Sequence, residues 1–230
     1  LKTFAAHGVY GTSAITCVTA QNPDAVTGVE AISPAMVTRQ VEAVCDGFDV
    51  AAAKTGMLFA ADIIRAVTDV IKHRKLRQLV VDPVMVATSG ARLLQDDAIA
   101  SLTEILLPRA LLVTHNIPEA ELLWGQPITS IEAQHDAAEG IAQRYGIACV
   151  IKGGHMETDP FERPHIINVL HAGGRIHSFQ HTRVAGGETH GTGCTFAAAV
   201  TANLANNLPL ATAVENAGTF VANAIAHNLN

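Results

Sequence analysis

The sequence is short of charge, of aromatic residues and of unbroken apolar runs. Asp, Glu, Lys and Arg make up 16% of its 230 residues, against an average of about 25%, which excludes a disordered or solvating chain. Aromatic residues reach 4%, which argues against an aromatic-rich all-β recognition domain. No stretch of about 18 apolar residues escapes polar interruption, so no transmembrane helix is expected. The 15 basic residues are outnumbered by 21 acidic ones, and no Lys/Arg run offsets the formal net charge of −6. Nucleic acid and anionic membranes are therefore not expected partners. Four cysteines, Cys17, Cys45, Cys149 and Cys194, lack CxxC spacing. They read as reduced cytosolic thiols, with room for one functional member, and the expected location is the cytoplasm. No signal peptide opens the sequence, which begins at Leu1 and not at Met. The Walker loop GxxxxGK[ST], a completed GxGxxG and the GxSxG elbow are also missing.

What is present is aliphatic. Hydrophobic residues make up 49%, mainly Ala, Val, Ile and Leu, a mix suited to helices packed on a sheet. Short β-rich runs alternate with helical patterns, the signature of βαβ units around a mainly parallel sheet in one α/β domain. Strands are expected over residues 14–20, 50–54, 79–81, 111–114 and 148–152. Helices are expected over 34–45, capped by Ser33 with Pro34 at its first position, and over 60–75, 96–107, 118–124 and 131–145. Residues 165–171 and 175–180 read as an antiparallel edge hairpin turned at Gly173-Gly174, followed by Ala-rich helices over 193–206 and 210–227.

In such sheets ligands bind at the carboxyl ends of the strands. The residues there are Gln21-Asn22, Lys54-Thr55-Gly56-Met57, Asp82-Pro83-Val84-Met85, Thr114-His115-Asn116 and Lys152-Gly153-Gly154-His155. The sharpest motif is Glu188-Thr189-His190-Gly191-Thr192-Gly193-Cys194. Its glycines at a helix start make either an anion cradle or a plain N-cap with tight packing. Cys194 is either a thiol whose pKa the helix dipole lowers or a small packing residue. Asn116 and Glu119, three apart, suit a hydrated Mg²⁺ or a capping box around Pro118, and spacing favours the cap. His7, His73, His135, His165, His177, His181 and His227 read as surface or hairpin residues, and Trp124 and Met156 as packing residues. No local spacing supports a zinc set of His155, His190 and Cys194.

These motifs occur in one order along the whole chain. Together, above all through Gly191-Thr192-Gly193-Cys194, they resemble the hydroxymethylpyrimidine/phosphomethylpyrimidine kinases, a thiamine-biosynthesis branch of the ribokinase-like superfamily. The resemblance implies a three-layer fold with a mainly parallel central sheet. It also implies ATP-dependent phosphorylation of 4-amino-5-hydroxymethyl-2-methylpyrimidine, and of its monophosphate to the diphosphate, with ATP and Mg²⁺. By the same resemblance Gly191, Thr192 and Gly193 form the anion hole, and Cys194 replaces an Asp that is the superfamily's usual base or positions the acceptor hydroxyl. Asn116, Glu119 and Asp82 stand on the metal side, and Lys152 and Asp82 at the nucleotide phosphates. Gln21, Met57 and Val84 match the pyrimidine pocket. A homodimer is implied as well. The family pattern has an earlier strand and a Gly/Ser-rich substrate loop ahead of the position of Leu1, and the expectation is a single domain over 1–230 without them. It usually carries a Lys-Asn-like pair before Thr189, where this chain has Gly186-Gly187-Glu188, and a Pro at His115. The nearest rival is a pyridoxal/pyridoxine kinase; a different class is a catalytically silent ligand sensor with a kinase fold. A dinucleotide oxidoreductase is disfavoured, because no GxGxxG follows a strand with an acidic partner downstream.

Overall fold

A computed structural model describes residues 1–22, 25–85, 94, 96–155, 165–184 and 191–227. The main sheet has six strands: β3 (Ala53–Thr55), β4 (Leu79–Val81), β5 (Leu112–Asn116), β6 (Ala148–Lys152), β7 (His165–Ala172) and β8 (Arg175–Thr182), in that spatial order. β3 to β6 pair in parallel, and β7 and β8 close the sheet as an antiparallel hairpin.

Strand alternation divides the core into two layers. Val81, Val113, Cys149, Ile151 and Val169 pack on one face against α2 (Pro34–Gly47), α3 (Ala61–Arg74), α4 (Asp96–Ser101), α5 (Ile117–Trp124) and α6 (Ile131–Tyr145). Val80, Leu112, Val150 and Leu170 pack on the other against α7 (Thr192–Ala205) and α8 (Leu210–Ala226). Ala197 and Ala199 on α7 and Ala213 and Ala217 on α8 are fully buried, and their small side chains let both helices lie close to the sheet. A five-residue helix, α1 (Lys2–Ala6), leans on α7. Trp124 packs against the first core layer, as expected of a packing residue. Among the described residues no helix is long and apolar enough to cross a membrane.

Helix ends follow their local chemistry. Ser33 caps α2, its hydroxyl accepting from the Met36 N–H at 3.4 Å, with Pro34 at the first position. The helix expected over residues 96–107 differs: α4 ends at Ser101, a π-turn runs Leu102–Leu106, and a 3₁₀ turn over Leu107–Arg109 follows. Pro108 has no N–H to continue the ladder, so the turn cannot stay regular.

The expected first strand is the main correction. β1 (Cys17–Gln21) lies outside the main sheet and pairs antiparallel with β2 (Val26–Ala31), a strand the sequence pattern did not reveal. Its β-branched run has strand propensity, but a strand of the central sheet must be apolar on both faces. Val18 is instead 56% exposed, and Ala20 and Gln21 are exposed too. Gln21-Asn22 therefore does not stand on the carboxyl rim of the main sheet.

Gly153 opens the 3₁₀ turn that follows β6 and lies against β7. A Cβ there would run into the Ile167 carbonyl oxygen, and its N–H donates to Asn168 Oδ1 at 3.2 Å. Gly153→Ala is expected to destabilise the fold by about 1–3 kcal/mol. Urea unfolding measures this; a variant as stable as the parent would mean that β7 can give way.

Candidate active site

The same alternation that builds the core points four polar residues towards α7. Lys54 is in register with Val80, Thr114 with Val150, and Lys152 with Asn116 two positions on; Asp82 extends β4 by one residue, its N–H donating to the Thr55 carbonyl at 3.4 Å. All sit at the carboxyl ends of parallel strands, beside the first turn of α7.

Asp82 is 3% exposed. Its Oδ1 accepts from Thr114 Oγ1 at 3.4 Å and faces Lys152 Nζ at 3.9 Å. Its Oδ2 is buried without a hydrogen-bond partner. Lys152 Nζ also approaches the Thr114 carbonyl at 3.5 Å. A buried carboxylate with one free oxygen and one lysine at ion-pair distance suits a cation or a bridging water.

Asn116 and Glu119 adopt the capping box that spacing favoured. Asn116 Oδ1 accepts from the Glu119 N–H at 2.8 Å, and Glu119 Oε2 accepts from the Asn116 N–H at 3.1 Å. Glu119 Oε1 reaches across to accept from the Met85 N–H at 3.2 Å, tying α5 to the segment after β4. Burial pushes the Glu119 carboxyl above its ordinary value and Asp82 adds to that, while Lys152 and the two backbone N–H groups oppose it. A nearby cation would favour its charged form. Among the described residues no cluster of three or more His, Cys, Asp or Glu forms a metal site.

Gly191 caps α7 with φ of +78°, a left-handed conformation open to glycine, so Thr192, Gly193 and Cys194 form the first turn. Phe196, 3% exposed, anchors that turn in the core. A Cβ on Gly193 would touch Lys152 Nζ at 3.5 Å, so this lysine lies along the turn. Glu188, Thr189 and His190, which precede it, lie outside the described residues, as do Gly186, Gly187, Met156 and the side chain of His155.

At Cys194 the surroundings run against the lowered thiol pKa that is one of its two readings. Its side chain meets solvent, but the crowded cleft pushes its thiol pKa up, not down; Asp82 raises it further, against Lys54 and Lys152. Partial removal of water and a facing carboxylate outweigh the two lysines.

Cys194 and Met57 border a cleft of about 860 Å³ that is also lined by Lys54, Gly56 and Thr195. The Met57 carbonyl accepts from Thr16 Oγ1 at 2.6 Å, which fastens the root of the β1–β2 ribbon to the rim. Val84 has φ of +44°, a strained value for a β-branched residue, and is half-buried after Asp82. Gln21 is exposed at the far end of β1, beyond a β-bulge. The structure thus gathers Asp82, Asn116, Glu119, Lys152, Gly191, Thr192, Gly193 and Cys194, with Met57 and Val84 at the margin. Gln21 stands apart. Lys54 and Thr114 had been given no role; the sequence signal was a polar side chain at the last α7-facing position of an apolar strand.

The fold has well-defined relatives among solved structures. The crystal structure of a phosphomethylpyrimidine kinase from Clostridium difficile superposes with a TM-score of 0.83 and 32% identity, covering 97% of this chain and 90% of that one. The pyridoxal kinase of Staphylococcus aureus in complex with ADP gives 0.85 at 32% identity, covering 98% of this chain and 80% of that one. Fold and site define a ribokinase-like small-molecule kinase. Within that class, the phosphomethylpyrimidine kinase family profile matches residues 1–230. The hydroxymethylpyrimidine/phosphomethylpyrimidine kinase of Haemophilus influenzae is 44% identical over 230 residues, spanning 100% of this chain and 85% of that protein. The chain belongs to the phosphomethylpyrimidine kinase family.

On the other sheet face, His115 is fully buried with both ring nitrogens unpartnered. Burial, aided by the charge of Lys152, lowers its pKa from the ordinary 6.5 to about 3. The fold holds this ring neutral. As pH falls below 6.5 the unfolded chain takes up a proton that the folded one refuses, so stability is lost between pH 6.5 and about 3. His115→Leu is expected to flatten that loss, by up to about 1.4 kcal/mol per pH unit relative to the parent. Urea unfolding at neutral and acid pH checks this; parallel profiles for the two proteins would contradict it.

Proposed function

We propose that the protein is an ATP-dependent kinase that phosphorylates 4-amino-5-hydroxymethyl-2-methylpyrimidine, and then its monophosphate to the diphosphate, for thiamine biosynthesis. The observation that carries this reading is the Gly191–Cys194 turn, set between Lys54 and Lys152 and facing buried Asp82. Phosphoryl transfer demands positioning and charge neutralisation above all, and this turn offers both.

The N–H groups of Gly191, Thr192 and Gly193 serve as the anion hole for the transferring phosphoryl group, and Lys152 as the cation at the nucleotide phosphates. The free Oδ2 of Asp82 and the buried carboxylate of Glu119 fit a hard cation, and they would hold Mg²⁺, which would supply positive charge against the phosphates. Asn116 contributes by holding Glu119 in place through the cap. Met57 and Val84 border the acceptor ring, and the ribbon anchored by Thr16 stands beside them with Gln21 at its far end. The family resemblance further supports a cytoplasmic homodimer.

The raised thiol pKa makes Cys194 a neutral group at pH 7. It positions the acceptor hydroxyl and is not a standing thiolate base. The hydroxyl oxygen bonds to the γ-phosphorus as the bond to ADP breaks, and its proton passes to an oxygen of the transferred phosphate. Cys194→Ala is expected to lower kcat by about 100-fold or more through misplacement of the hydroxyl. The pH–rate profile of the parent should show no limb that vanishes in Cys194→Ser; such a limb would restore the base assignment.

The pyridoxal kinase likeness supports a second reading, which one assay separates. With pyrimidine and pyridoxal competing for limiting ATP, pyrimidine mono- and diphosphate are expected to dominate the products. Mainly pyridoxal phosphate would favour the rival, and pyrimidine binding without ADP release would favour a silent sensor.

A further inference from the structure

We propose that Lys54 holds the phosphate of the phosphorylated acceptor and so fits this single site for the second transfer. The assignment rests on the pyrimidine-kinase reading above and adds to it a residue that separates its two steps.

Two ammonium groups flank Cys194, and they are not equivalent. Lys152 is tethered: it faces Asp82 at 3.9 Å and the Thr114 carbonyl at 3.5 Å, and it lies along Gly193. Lys54 is half-buried and, among the described residues, has neither a hydrogen bond nor an ion pair. Its position in β3, in register with Val80, directs it to the α7 face. A Cβ on Gly56 would stand 3.3 Å from Lys54 Nζ, so the side chain folds back over Gly56 beside Met57, and both residues line the cleft with Cys194. Among the described residues it is a cation without a partner, lining the cleft beside Cys194. A half-buried ammonium beside the cleft attracts a bound anion.

The two transfers differ in what they ask of such a cation. In the first, a neutral hydroxyl attacks and releases its proton. In the second, an oxygen of the monophosphate dianion attacks the γ-phosphorus while the bond to ADP breaks. A P–O–P linkage forms, ADP leaves with the bridging oxygen, and no proton is released. The second step needs no base. It needs two anionic phosphates brought together inside a protein whose own net charge is −6. The α7 turn and Lys152 neutralise the nucleotide, and Lys54, beside Cys194, is placed to neutralise the acceptor phosphate.

Lys54→Met and Lys54→Arg test this, with kcat and KM determined separately for the pyrimidine alcohol and for its monophosphate. For Lys54→Met the ratio of kcat/KM for monophosphate over alcohol is expected to fall about 10- to 100-fold, mostly through KM, so that turnover stalls at the monophosphate. Lys54→Arg keeps the charge and should recover part of the ratio. Calorimetry with the monophosphate alone should show the same selective weakening, and thermal unfolding reports whether each variant is folded. A ratio unchanged in Lys54→Met, or equal losses for both acceptors in Lys54→Met and Lys54→Arg, would overturn the assignment while leaving the kinase reading intact. A parent protein that phosphorylates neither pyrimidine would overturn that reading, and the assignment with it.

Discussion

The alternation of side chains along β3, β4, β5 and β6 is the constraint on which both core and site depend. Because neighbouring positions face opposite ways, Val81, Val113 and Ile151 enter one apolar layer while Lys54, Asp82, Thr114 and Lys152 come out together beneath α7. A slip of one residue in β3, β4 or β6 would bury a charge in the first layer and remove it from the site. Parallel pairing brings the ends of four strands to a common edge, so residues nearly a hundred positions apart, Lys54 and Lys152, come to flank Cys194.

Charge then decides what that edge can hold. The chain is acidic overall, so a polyphosphate is not drawn in by a basic surface. Neutralisation is local. It comes from backbone N–H groups at a glycine-opened helix, from two lysines of different tethering, and from carboxylates whose burial favours a bound cation. Cys194 stands where these influences meet. Desolvation and Asp82 keep it a thiol, although the helix start and the lysines pull the other way.

Much of this was legible in the sequence. The helices over 60–75 and 131–145, the strands over 79–81 and 148–152 and the edge hairpin follow from apolar periodicity and turn glycines, because the forces that set them are local. The Asn116–Glu119 cap was legible for the same reason. The residues 14–20 were not: β-branched composition sets strand propensity, but whether a strand joins the central sheet depends on what covers its second face. The irregular turn at Leu102–Leu106 precedes Pro108, which lacks the N–H to continue the ladder, and leaves no periodic signature. The thiol shift at Cys194 was hidden because it depends on burial in the folded cleft and on Asp82, more than a hundred residues away, and Lys54 because its meaning lies in what does not pair with it among the described residues.

The central claim is that nucleotide and acceptor meet at the Gly191–Cys194 turn, and alkylation of Cys194 tests it most directly. In a protein with Cys17 and Cys45 replaced by Ala, buried Cys149 leaves Cys194 as the accessible thiol. The account predicts that a non-hydrolysable ATP analogue with Mg²⁺ and the pyrimidine alcohol together slow iodoacetamide labelling in proportion to their occupancy. Labelling of Cys194 at its unliganded rate, with both ligands saturating, would contradict it.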